Sequence, residues 1–130
     1  FYVHNNVQVI ILSAPNNFKR VGKMIRKMDL DYVVQSFKTN TILDLAALID
    51  NLDLIISPDT SVIHIASTYN KPIVTIHENN LHSYKLFAPT SKLSRTVFSK
   101  SKNSLKGFSL NLLMSFCLEL INLIKKEDHE

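Results

Sequence analysis

The chain has 130 residues and a mass of 14.8 kDa, with 45% hydrophobic and 20% charged residues. That is the size and balance of one globular domain, 1–130, and it excludes an intrinsically disordered chain. The formal net charge of +4 and a count of two glycines, against a usual share of about 7%, make a glycine-rich phosphate loop hard to place.

The charge is unevenly spread. No Asp or Glu falls between Glu78 and Glu119, while Lys85, Lys92, Arg95, Lys100, Lys102 and Lys106 lie in that interval. Such a field suits a phosphate-bearing partner, whether nucleotide, nucleic acid or anionic headgroup, and equally suits a solvated basic surface. The sole cysteine, Cys117, cannot form an internal disulfide and fits a reducing, cytoplasmic setting. The first residues, Phe1 to Asn6, have none of the features of a signal peptide and no initiator Met, which implies a piece of a longer chain. The most apolar window, Leu110 to Ile124, is interrupted by Asn111, Ser115, Glu119 and Asn122, so it reads as a buried helix and not a membrane span.

Val7 to Leu12 is a β-branched run that ends in a Ser-Ala-Pro-Asn-Asn turn, which predicts a buried strand. Phe18, Val21, Met24, Ile25 and Met28 follow helical spacing, with Lys19, Arg20, Lys23, Arg26 and Lys27 facing outward. Tyr32 to Val34 predicts a second strand. Thr41 and Asp44 fit a capping box, followed by a helix through Asn51. Leu54 to Ser57 reads as a third strand, Ser61 to Tyr69 as a helix, Pro72 to Ile76 as a fourth strand, and Thr96 to Phe98 as a fifth. The last helix, Leu110 to Lys126, shows an apolar face of Leu113, Phe116, Cys117, Leu120, Leu123 and Ile124. The stretch from Ser99 to Lys106 reads as a surface connection.

Strands that are apolar throughout and alternate with helices predict an α/β, Rossmann-like three-layer domain with a parallel sheet. Ligands of such a sheet lie beyond the carboxyl ends of its strands, which directs attention to the loops at 13–17, 36–41, 57–61 and 77–80. The densest polar set is Ser57-Pro58-Asp59-Thr60-Ser61-Val62-Ile63-His64. It joins a strand to a helix N-terminus, where free N–H groups and the helix dipole favour an anion. Thr60 and Ser61 supply hydroxyls and backbone donors there, and His64 follows one turn on. A carboxylate beside a phosphate is repelled, so Asp59 is better suited to sugar hydroxyls or to a cap. Taken singly, Asp, Thr and Ser are also ordinary N-cap residues, and a single His is more often a packed, satisfied side chain.

Read together with Leu43 to Ile56 before it and Lys71-Pro72 after it, this set resembles the C-terminal half of glycosyltransferase family 9, the heptosyltransferases of lipopolysaccharide biosynthesis. The family pattern is a helix of the form L-x-x-L-A-x-L-I, a strand, D-[ST]-G-x-x-H-x-A-x-A, and a K/R-P before the next strand. The likeness spans about Val9 to Pro89. It implies the donor-binding half of a two-domain GT-B enzyme, acting from the cytoplasm with at most peripheral membrane association. The donor would be a nucleotide sugar, ADP-heptose, and the acceptor a lipopolysaccharide core bound by an N-terminal domain outside this chain. It further implies that Asp59 contacts the donor sugar, that Thr60 and Ser61 bind the diphosphate, and that His64 supports it. Asn40 and Thr41 would contact the nucleoside, and Asn16 or Asn17 the ribose.

No catalytic residue of that family falls within this sequence, and no cofactor, metal or nucleic acid is implied. His4, His77, His82 and His129 are too scattered for a metal site. Two departures stand out: Ser61 replaces the family's glycine, and His77-Glu78-Asn79-Asn80 replaces a stretch that usually runs through Gly and Thr or Ser toward Pro. The alternatives are therefore a GT-B domain for another nucleotide sugar, such as a UDP-sugar, or a degenerate binding domain without catalysis.

Overall fold

A computed structural model describes residues 6–130. The initial residues lie outside that range, as does His4. The chain divides into two compact units, Phe1–Leu45 and Ala46–Glu130.

In the first unit, β1 (Val9–Ile11) pairs in parallel with β2 (Val33–Gln35), Val9 opposite Val33 and Ile11 opposite Gln35. A 3-10 turn (Pro15–Asn17) leads into α1 (Phe18–Met28), which Asp29 ends in a left-handed conformation, φ 50°. The buried position of α1 is Gly22, while Met24 and Met28, expected to face inward, are exposed. The reason is a close crossing: a Cβ on Gly22 would stand 2.7 Å from Gln35 Oε1, and Gln35 Nε2 donates to the Phe18 carbonyl at 2.7 Å. The missing side chain lets β2 press on the middle of the helix, and the methionines flank that line.

Helix α2 (Ile42–Asp50) carries the chain from one unit into the next and buries Leu48 and Ile49. The second unit then alternates strand and helix: β3 (Ile55–Pro58), α3 (Ser61–Thr68), β4 (Ile73–His77), α4 (Leu81–Phe87), β5 (Ser94–Phe98) and α5 (Leu110–Glu127). Its strands form a parallel sheet in the order β3-β4-β5. Pro58, which has no N–H for a ladder, ends the edge strand β3.

The core of this unit sets Val74 and Val97 of the sheet against Leu113, Cys117 and Leu120 of α5, flanked by Leu54, Ile76, Leu93, Phe108, Phe116 and Leu123. Full burial of each such aliphatic side chain contributes about 1.5–3 kcal/mol. Ile121 also belongs to the buried face of α5. The connection before α5 is tied down by Ser99, whose buried hydroxyl donates to the Ser101 and Ser104 carbonyls.

The chain is thus α/β and Rossmann-like, with parallel strands alternating with helices as the sequence leads one to expect. The parallel pairing falls into a two-stranded and a three-stranded sheet, one in each unit. Helix α4 has no counterpart in the sequence reading. Asn80 caps it, its side chain accepting from the Ser83 N–H at 3.2 Å, and Ala88-Pro89 ends it. Among the described residues no helix is long and apolar enough to cross a membrane.

Candidate functional site

The site is built where β3 and β4 end. Their register places Pro58 opposite Ile76, so the next residue of each chain, Asp59 and His77, emerges side by side at the carboxyl edge of the sheet. Asp59 Oδ2 lies 3.2 Å from His77 Nε2, and Asp59 Oδ1 lies 3.9 Å from His64 Nε2. The first lacks the direction of a hydrogen bond and the second is too long for one, so His77 Nε2 has no hydrogen-bond partner among the described residues. Both are short-range electrostatic contacts, one of them in a nearly dry place. The side chain of His77 is only 3% exposed, against 27% for Asp59 and 53% for His64.

Both imidazoles are held by their surroundings. The Nδ1 of His77 is 3.1 Å from the Glu78 carbonyl. Its ring meets Tyr84 edge to face at 5.3 Å and lies tilted 6.4 Å from Phe98, and the Tyr84 hydroxyl is fixed by Thr96 at 3.0 Å. His64 meets Phe87 edge to face at 6.3 Å. Helix α4 thus supplies an aromatic neighbour to each histidine.

Thr60 is the N-cap of α3 and is fully extended, φ −146°, yet its side chain makes no capping bond. Its hydroxyl instead lies 3.3 Å from that of Ser57. The Ser61 and Val62 N–H groups at the start of α3 therefore have no side chain from the cap residue covering them. Ser61 is the first helical residue and is not among the described positive-φ residues. The backbone here does not need glycine for its conformation, and the extra Cβ matters only for how closely a ligand can approach.

Asp59, Thr60, Ser61 and His64 thus come together on one turn. The other expected contacts belong to the first unit. Asn17 is the N-cap of α1 with no side-chain bond, and Asn16 is exposed in the turn before it. The N–H groups of Asn40 and Thr41 donate to Asp44 Oδ2 at 3.1 and 3.0 Å, while Thr41 Oγ1 accepts from the Asp44 N–H at 3.1 Å, the anticipated capping box. The residue that sequence reading set aside is His77. In the sequence it stands as one of the scattered histidines and as the first residue of the 77–80 loop, whereas the parallel pairing of β3 with β4 makes it the neighbour of Asp59.

The family model for glycosyltransferase family 9 (heptosyltransferase) matches residues 2–112. A curated relative, the lipopolysaccharide core heptosyltransferase OpsX of Haemophilus influenzae, is 30% identical over 106 residues, which is 80% of this chain. The chain spans about 30% of the length of that relative. No solved structure gives a significant match.

Proposed function

Since the chain belongs to glycosyltransferase family 9, we propose that it is the donor-binding part of a heptosyltransferase of lipopolysaccharide core biosynthesis. Its donor is ADP-heptose, and it works on the cytoplasmic side as the C-terminal half of a GT-B enzyme. The lipopolysaccharide acceptor is bound by a partner domain.

The observation that carries this reading is the uncapped start of α3 with Asp59 and His64 beside it. Open N–H groups at a helix N-terminus suit a diphosphate. The Thr60 and Ser61 backbone holds its oxygens, and His64, half exposed, donates to them. Asp59 Oδ1 accepts from a hydroxyl of the sugar. When an acceptor hydroxyl attacks the anomeric carbon with inversion, negative charge grows on the departing diphosphate. The same N–H groups and His64 stabilise that charge without rearranging.

The second reading, a degenerate binding domain, rests on Ser61 and Glu78 in place of the family's usual residues. Calorimetric titration with ADP-heptose, ADP and UDP separates the cases. The proposal predicts affinity in the order ADP-heptose, ADP, UDP. UDP ahead of ADP points to another nucleotide sugar, and no heat with any of the three refutes donor binding.

A further inference from the structure

The Glu78 carbonyl can only accept, so the His77 Nδ1 that lies 3.1 Å from it carries a hydrogen. In a neutral imidazole that leaves Nε2 without a hydrogen, 3.2 Å from a carboxylate oxygen though not aimed along the line to it. Two electron-rich atoms at that distance repel each other, and the His77 side chain, 3% exposed, has little water to screen it. A proton on Nε2 turns that repulsion into attraction between opposite charges, leaving His77 and Asp59 as one compensated pair.

This pair also resolves a difficulty in the proposed donor site, on which the inference rests. A lone carboxylate two residues from the open start of α3 would repel the diphosphate that start attracts. From these contacts we infer that His77 is a positioning residue: its buried imidazolium is the counter-charge that lets Asp59 stand beside a diphosphate and keeps Oδ1 turned outward to a sugar hydroxyl. The titratable groups around the pair are His64, 3.9 Å from Asp59 Oδ1, Tyr84 of α4 against the His77 ring, and Glu78, which follows His77 in the chain. Thr96 and Phe98 of β5 complete the wall without charge.

A double-mutant cycle on ADP binding, read by calorimetry, tests this. His77→Phe is expected to weaken ADP by about tenfold, and adding Asp59→Asn, which removes the uncompensated charge, is expected to restore affinity to within about threefold of Asp59→Asn alone. A merely structural loss at His77 is not rescued by a second change at Asp59, so additive losses overturn the inference.

The second measurement needs no ligand and no change at the buried position. In side-chain nitrogen NMR of the free protein, Asp59→Asn is expected to displace the His77 Nε2 resonance while Nδ1 stays protonated. An Nε2 resonance that does not move, or an Nδ1 without its hydrogen, overturns the pairing. If no nucleotide binds, the donor-binding function fails, and the ring-nitrogen result still decides whether His77 and Asp59 form a charged pair.

Discussion

Two helices in this chain begin with a threonine cap, and their N-termini differ. At the start of α2, Thr41 and Asp44 close on each other: the carboxylate takes the N–H groups of Asn40 and Thr41, and the Thr41 hydroxyl takes that of Asp44. At the start of α3, the position corresponding to Asp44 is Ile63, which has no side chain to reach back, and Thr60 turns its hydroxyl to Ser57. The first terminus has its third helical N–H taken by its own cap side chain and contributes stability. The second has no side-chain cap and keeps room for an outside anion, with the contact between the buried His77 and the part-buried Asp59 beside it. A helix end that the chain does not cap is where a binding function can reside at low structural cost.

The strongest challenge to this contrast is at Asp59. Asp59→Ala is expected to lower ADP-heptose affinity by about tenfold, the scale of one lost charged hydrogen bond, and ADP affinity by much less. Equal losses measured by calorimetry remove the sugar contact.

Exchanging the caps gives the next largest effect. Thr41→Ala should cost about 1 kcal/mol of folding stability by denaturant titration. Thr60→Ala should stay within about 0.5 kcal/mol, because no capping bond is lost. If both cost the same, the two termini do not differ as described.

His64→Ala should weaken ADP and ADP-heptose alike, by about three- to tenfold, with little change in stability, since its side chain is 53% exposed. An unchanged ADP affinity would return His64 to a packing role against Phe87.

The smallest effect lies away from both termini. Arg95 of β5 holds the Glu119 carboxyl of α5 below its ordinary 4.5, mainly by side-chain hydrogen bonding and secondly by its charge. A carboxyl whose folded value is depressed stabilises the fold above that ordinary value and loses the contribution as pH falls through the lowered one. Thermal melts of wild type and Glu119→Gln should therefore differ slightly at neutral pH, begin to approach each other below pH 4.5 and converge once the pH is below the lowered folded value. A gap that persists there argues against the ion pair.

Much of this was legible in the sequence, for identifiable reasons. Helical spacing located α1, α2, α3 and α5, the β-branched runs located the strands, and the capping box at Thr41 formed as its residues require. Helix α4 was missed because it is seven residues long and lacks an apolar period, leaving Asn80 and Pro89 as its only markers. The inward placing of Met24 and Met28 failed because periodicity cannot reveal that Gly22 is the point of closest approach to β2. The polar turn at Asp59 was visible as a motif within eight residues. His77 was not, because it reaches Asp59 through the register of two parallel strands separated by a helix, information that lies in the pairing and not in either segment alone.

The central claim is that α3, and not α2, offers its N-terminus to a diphosphate. Backbone amide NMR during titration with ADP tests it most directly. The account predicts that the Ser61 and Val62 amides shift most, while those of Asn40, Thr41 and Asp44 keep their internal bonds and move less. Largest shifts at the start of α2, or none at the start of α3, would contradict it.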